Sequence, residues 1–413
     1  MRGQDEPTLV IRGATVIDGT GAAARPGTSI VVRGDRIEWL GPDGSPNVPR
    51  SPDVAIDAAG AAVIPGLIDA HVHLSSDPGA EGWRQRTEGA LGEWLRGGVT
   101  GVRDMAGDAR AIRPLAEAVD AGEVEGPKID FTAIVAGPGF FVDPRARASS
   151  AGIEPGEAPW ARAVEPGSDI EAIVEAAAAT GATGVKAYAL VDPELLARIA
   201  TAAHRRGLKV WSHATVFPTR PSEAVSSGVD VLSHAGYLVW EGSPPTLEYT
   251  ERGNGNYMGV PPDDRAVGAA LEAMAANGTM LDATVALMAR IVGRGDNGQL
   301  RADWTYEIVR RAHEAGVDVV AGTDFPAAPG SPPSIHEELA VLVEKVGLTP
   351  LDAIEAATRN GARAIGIEGD YGTIEPGKVA NLVILDADPL TDIRNTTRIR
   401  AVIKDGEVVD PAR

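Results

Sequence analysis

Apolar and polar positions along the chain fall into blocks of different texture. Between residues 8 and 60 the short apolar runs TLVIRGATVID, TSIVVRGDRIEWLG and DVAIDAAG are separated by Gly, Pro, Asn and Asp, the pattern of strands joined by turns. Antiparallel β-structure is expected there. The C-terminal runs YGTIEPGKVANLVILDADP and IRAVIKDGEVVD have the same texture, and KDGE suits a tight hairpin turn. Two β-rich ends flanking a different middle predict one small sheet domain assembled from residues 1–61 and 368–413.

From about residue 62 to about residue 367 the texture changes to short apolar strands alternating with Ala-rich amphipathic helices, the sign of repeated βα units and a parallel sheet. The candidate strands are AVIPGLIDAHV, VTGVRDM, IDFTAIVAG, GVKAYA, LKVWSHA, VDVLSHAG, TMLDATVA and VDVVAGTD. Eight strands in this alternation predict an α/β fold of the (β/α)8 TIM-barrel type over 62–367. The helical stretches DIEAIVEAAAATG, PELLARIATAAHRRG, DDRAVGAALEAMAANG and RADWTYEIVRRAHEAG each end near a Gly suited to a left-handed C-cap. Two connections are long, 137–168 and 239–262. Loops of that length usually carry function or form a lid, with plain surface insertions as the alternative.

In such barrels the chemistry sits at the C-terminal ends of the strands. The run VIPGLIDAHVHL ends in His71 and His73, which lie two apart and so share one face of an extended strand. Strand four carries Lys186, strand five His213, strand six His234 and strand eight Asp324, so four of the seven histidines fall on three strand ends. Taken alone, His-x-His could equally be one core and one exposed residue; the clustering favours metal ligation. His204, His313 and His336 lie in helical or loop segments and are expected at the surface or as caps. Lys186 has two readings. It reaches a barrel carboxylate, or it has reacted with carbon dioxide to form a carbamate that bridges two divalent ions.

Composition narrows the chemistry. The 413 residues, 44% of them apolar, exceed the usual size of one core and require a large barrel or two domains. With 38 Lys and Arg against 58 Asp and Glu, the formal charge of −20 repels nucleic acid and anionic lipid, so neither is expected as a partner. The partner is a small-molecule substrate, and self-association into a homo-oligomer is left open. With no Cys, any metal must be held by His, carboxylates or a modified side chain. The N-terminus MRGQDEPTLVIRG has no apolar core of signal-peptide length, and no uncharged apolar stretch of about 18 residues occurs, so a soluble cytoplasmic protein is expected.

In combination PGLIDAHVH, Lys186, His213, His234, AGTD ending at Asp324, and the tail GTIEPGKVANLVILDADP resemble the amidohydrolase superfamily across nearly the whole chain. The resemblance implies a metal-dependent hydrolase on a (β/α)8 barrel with a composite β-sandwich. It implies that His71, His73 and Asp324 hold a more buried divalent ion, that His213 and His234 hold a more exposed one, and that N6-carboxylated Lys186 bridges them. Deaminases of the superfamily usually place a Glu before the strand-five His, and amino-sugar deacetylases take a Glu from strand three; LKVWSHA and FTAIVAG have neither. GVTGVRDM and HEELAVLVEKVGLTPLDAIEAATRNGARAIG look closest to imidazolonepropionase-like and prolidase-like members, which cleave dipeptides, N-acyl amino acids and related amides. The Pro-rich loop GTDFPAAPGSPPSIHEEL departs from that pattern and keeps substrate choice from being copied from any one relative.

Two divalent ions, with zinc expected and manganese or cobalt as alternatives, can lower the pKa of a bridging water and polarise a scissile carbonyl. Asp324 would accept the proton and pass it to the leaving amine. Tyr188, Tyr237 and Arg220 are candidates for binding a substrate carbonyl or carboxylate, against the readings of packing tyrosines and an exposed arginine. The leading expectation is hydrolysis of an amide or peptide bond in a small carboxylated substrate. A cyclic amide, a lactone or an organophosphate ester at the same metals remains open, and so does a non-enzymatic binding protein on the same scaffold.

Overall fold

The computed structural model describes residues 6–409 apart from 245, 247–248, 293–296, 327–329 and 331–333. Among the described residues eight parallel strands run in chain order around a (β/α)8 barrel: Leu67–His73, Val99–Asp104, Lys128–Ala136, Gly184–Ala187, Lys209–His213, Val231–Ser233, Met280–Asp282 and Val319–Val320. Each falls on one of the eight apolar runs, but the first run divides, its Ala62–Pro65 half pairing with Thr8–Val16 and Leu382–Leu385 in the other sheet. A strand buried on both faces reads as continuous Val, Ile and Leu rather than as alternation. The ring closes between the eighth and first strands through Ala70 N to Ala321 O at 3.2 Å and Asp324 N to His71 O at 2.8 Å. The short strand Phe325–Pro326 then pairs with Val72 and His73 and fixes the chain just beyond Asp324.

The helices follow local chemistry. Ile170–Ala179, Pro193–His204 and Arg265–Asn277 begin after Asp169, Asp192 and Asp264, whose carboxylates accept from backbone N–H groups of the first turn. The helices covering the four Ala-rich segments end near Gly181, Gly207, Gly278 and Gly316, all at positive φ as expected of C-caps. At the barrel floor Ile68, Ala70, Met105, Trp211, Val231, Met280 and Val320 form one apolar cluster with Ala362, Ala364 and Ile365. The carbonyl of Ala364 accepts from Arg103 and from the Trp211 indole. An apolar floor leaves the polar ends of the strands at the opposite mouth.

The smaller β-domain takes strands from both ends of the chain, in the order Glu407–Val408, Ile399–Lys404, Leu382–Leu385, Ala62–Pro65, Thr8–Val16, Arg25–Arg33 and Arg36–Pro42. The KDGE turn forms as expected, with Asp405 and Gly406 both at positive φ. The sheet is not wholly antiparallel. Val54–Asp57 and Ala62–Pro65 both pair with Thr8–Val16 in parallel, because the hairpin of the second and third strands carries the chain away before it returns in the original direction. No helix among the described residues is long and apolar enough to cross a membrane.

Candidate metal centre

The first strand brings His71 and His73 side by side, with ring centroids 5.5 Å apart, and answers the His-x-His spacing directly. His71 is fully buried, whereas His73 and Asp324 each keep 21% of the side chain exposed at the mouth. His73 Nε2 lies 2.8 Å from Asp324 Oδ1, and His71 Nε2 lies 3.3 Å from the same oxygen. One ligand atom from each of these residues falls within 4.8 Å of the others, a geometry that can hold a cation. His234 stacks at 5.1 Å from His71 and 5.0 Å from His213. Lys186 Nζ sits 3.2 Å from His71 Nε2 with the side chain buried. Six residues from five strand ends therefore converge.

Further polar groups orient the imidazoles. His71 Nδ1 lies 2.6 Å from Asp282 Oδ2, and His234 Nδ1 lies 3.1 Å from Thr284 Oγ1. A ring nitrogen held this way turns the other, Nε2, into the centre as a ligand lone pair, the usual arrangement behind metal-bound histidine. His213 Nδ1 is buried with no hydrogen-bond partner. His234, Thr284 and Asp324 all have φ in the left-handed region, at 68°, 49° and 60°. Such backbone persists only where surrounding contacts hold it. Glu338, fully buried, accepts from Val285 N at 2.9 Å and Ala286 N at 2.6 Å and so fixes the turn containing Thr284.

Close packing beneath the centre explains Gly322 of the AGTD segment. A Cβ there would lie 2.6 Å from His71 Cβ and nearer still to Asp282 Oδ1. Thr323 ties the eighth strand to the first, with its hydroxyl and N–H donating to Asp69 at 2.7 and 3.0 Å.

Burial and neighbours set the charge states. Desolvation pushes His234 down to about 3 and His213 well below the ordinary histidine range, so both are neutral at pH 7 and able to ligate. Desolvation also brings Lys186 down to about 8, against the pull of Asp324 and Asp282. Burial alone would raise Asp324, but His234 and His71 overcome it and hold the carboxyl well below the usual carboxylate range. Burial and the Lys186 charge would lower His71, but Asp282 and Asp324 raise it above the ordinary histidine value, so it gives up a proton on ligating. The neutral imidazoles of His213 and His234, a carboxylate and a lysine with a weakened hold on its proton form a donor set that fits divalent cations.

Two tyrosines flank this set. Tyr188 packs 4.4 Å from the His213 ring, and Tyr237 lies 5.3 Å from His234 and 5.9 Å from His213. Burial raises both phenols, Tyr188 to about 12. Arg220 points elsewhere: its Nη1 donates to Glu241 O at 2.6 Å and Trp240 O at 3.5 Å, bracing the loop after the sixth strand. His204 pairs with Asp230, and His313 lies 3.6 Å from Asp352. His336 bridges Gly97 O, at the C-cap of the helix Trp83–Arg96, to Thr396 Oγ1. Most of the Pro-rich loop after Asp324 lies outside the described residues. Asp282, Thr284 and Glu338 were not singled out from the sequence, although an Asp within the apolar run TMLDATVA is a signal of the same kind as Lys186 within GVKAYA.

A (β/α)8 barrel with imidazoles, a lysine and an aspartate gathered at the C-terminal ends of its strands carries a candidate metal centre where such barrels place their chemistry. Residues 62–409 match the model of the Amidohydrolase family, and the chain belongs to that family. It is 28% identical over 377 residues to an imidazolonepropionase of Streptomyces avermitilis, covering 87% of this chain and 80% of that protein. It is 25% identical over 394 residues to an ochratoxinase of Aspergillus niger, covering 82% of this chain and 73% of that protein. Among solved structures, a Xaa-Pro dipeptidase with bound methionine superposes with a TM-score of 0.77 at 22% identity, over 98% of this chain and 100% of that one.

Proposed function

We propose that the chain is a binuclear metal-dependent hydrolase that cleaves the amide C–N bond of a small carboxylated substrate, a dipeptide or an N-acyl amino acid. The observation that carries this reading is the position of Lys186, buried amid the donor set with Nζ 3.2 Å from His71 Nε2. An ammonium there would repel any cation the imidazoles hold. Addition of carbon dioxide to the neutral amine, with loss of one proton, gives a carbamate that supplies the missing anion. His71, His73 and Asp324 would then hold one ion, His213 and His234 the other, with carboxylated Lys186 between them and zinc as the expected metal. When bound, such ions supply Lewis acidity that makes water nucleophilic near neutral pH and polarises the scissile carbonyl.

The remaining work falls to the chain. Asp282, which can only accept, draws the proton to His71 Nδ1 and leaves Nε2 free to ligate, and the Thr284 hydroxyl can accept from His234 Nδ1 in the same way. Asp324 is ionised, so it can accept the proton lost by the attacking water. It would deliver that proton to the leaving nitrogen as the C–N bond breaks. Tyr188 and Tyr237 remain protonated at pH 7 and can donate to the carbonyl oxygen. In the same reading residues 1–61 with 368–413, joined by the strand Ala62–Pro65 that pairs with both, act as a scaffold domain, and the rest of 62–367 is the reacting barrel.

The test is a panel of dipeptides, N-acyl amino acids, lactones and phosphotriesters assayed with the metal-loaded protein. Turnover of the first two classes above the others supports the reading, and turnover confined to lactones or phosphotriesters overturns it.

A further inference from the structure

The seventh strand, Met280–Asp282, is only three residues long, yet the chain leaving it serves two of the histidines. Asp282 meets His71 Nδ1, and Thr284 Oγ1 meets His234 Nδ1. Thr284 is at the same time the N-cap of the helix Val285–Ile291, with φ 49° and ψ 42°. A threonine at that position ordinarily turns its hydroxyl onto a backbone N–H of the first helical turn. Here it makes no such bond, and the hydroxyl goes to His234 instead.

The first-turn N–H groups are served from outside. Glu338 Oε1 accepts from Val285 N at 2.9 Å and Oε2 from Ala286 N at 2.6 Å, so each oxygen takes one donor. Glu338 stands on a different helix, Ile335–Val341, in the chain that follows Asp324. The same chain holds the other end of Val285–Ile291, where Arg290 stacks on Phe325 at 3.6 Å and donates to Glu337 Oε2 at 2.7 Å. Glu338, Val285 and Ala286 are fully buried, so water is not at hand to replace a lost acceptor. Without the carboxylate, two buried N–H groups go unpaired, and the residue that ordinarily caps such a turn is Thr284. Its hydroxyl would then be drawn away from His234.

We infer that Glu338 is a positioning residue of the metal centre: by capping Val285–Ile291 from outside, it releases the Thr284 hydroxyl to fix the His234 ring. This rests on the metal-centre part of the proposed function. Glu338 acts through Thr284 and not on a ligand directly.

The experiment is a double-mutant cycle on zinc binding, read by competition with a chelator, for the wild type, Glu338→Gln, Thr284→Val and the double variant, with denaturant unfolding of each metal-free protein alongside. Glutamine keeps the shape of Glu338 but offers one acceptor oxygen and sets an NH2 against the second N–H; valine keeps the branched shape of Thr284 and removes only the hydroxyl. Each single variant is expected to weaken one zinc equivalent about tenfold or more, the scale of losing the group behind a ligating histidine. The double variant should lose no more than Thr284→Val alone, because the hydroxyl through which Glu338 acts is already gone. Losses that add in the double variant place Glu338 on another route and overturn the inference. So does unchanged zinc affinity in Glu338→Gln with a lowered unfolding free energy, the result of a carboxylate that only braces the fold. If the glutamine variant does not fold, Glu338→Asp, which keeps the charge on a side chain one methylene shorter, goes through the same cycle with the same outcomes. A wild type that binds no zinc ends the metal-centre reading itself, whereas zinc held equally by the wild type and Glu338→Gln ends this inference alone.

Discussion

Asp282→Asn probes the centre without touching a proposed ligand. Asp282 Oδ2 holds His71 Nδ1 at 2.6 Å with both side chains fully buried, while Oδ1 lies near Gly322 without a hydrogen-bond partner. Asparagine keeps the shape and can still accept from Nδ1, but the acceptor loses its charge. Hydrogen bonds to charged groups contribute about 1.5–3 kcal/mol and neutral ones about 0.5–1.5 kcal/mol, so the exchange costs roughly 1–2 kcal/mol. That is within the range of the tenfold to hundredfold loss of metal affinity, about 1.4–2.7 kcal/mol, typical when the partner behind a ligating histidine is changed. The assay is competition for zinc between the protein and a chromogenic chelator, paired with denaturant unfolding of the metal-free protein. Affinity for the tighter ion should fall about tenfold to hundredfold, with stability falling by no more than about 2 kcal/mol. Asp282→Ala should cost more, since it leaves an N–H unpartnered at a site with no exposure. Unchanged zinc affinity in the asparagine variant would refute the idea that Asp282 sets His71 up as a ligand.

Asp324→Asn should leave the barrel folded and reduce kcat by at least about a hundredfold, the scale of a lost acid–base group, and near-normal turnover would exclude the proton-transfer role. Lys186→Ala should lose metal and activity together, and a short carboxylic acid added in solution should restore part of both; full activity without it would rule out the carbamate bridge. Burial raises Asp69 from near 3.8 to about 7 in the folded protein, above its unfolded value. Its contribution to stability is therefore complete below about 3.8 and is lost as pH rises through about 7, on the order of 4 kcal/mol in all. Unfolding of metal-free Asp69→Asn should lack this component, and parallel pH–stability curves for variant and wild type would contradict the assignment.

Much of this architecture was legible because burial writes itself into composition. The eight strands are covered on both faces, so each appears as an apolar run, and a His, Lys or Asp at the end of such a run stands out against it. The helix ends were legible for a local reason, since glycines at positive φ close them. Pairing was less legible. The sequence of Val54–Asp57 has strand character but does not say which neighbour it meets, and its parallel partner Thr8–Val16 is set by the path of the intervening hairpin. The polar groups behind the ligands were also hidden, because Asp282 and Thr284 sit on and just after a strand of three residues, too short to show a period. Arg220 and Arg252 both lie in loop-like sequence. Only tertiary placement separates an arginine spent on Glu241 O from one packed on the Tyr249 ring.

The central claim is that the converging residues make a metal-dependent amide hydrolase. Its most direct test is a zinc titration of protein stripped by exhaustive chelation, following hydrolysis of an N-acyl amino acid with bicarbonate present. The account predicts no turnover in the stripped protein and a rise that reaches its plateau at two equivalents of zinc per chain. Full turnover in the stripped protein, unaffected by added metal, would contradict it.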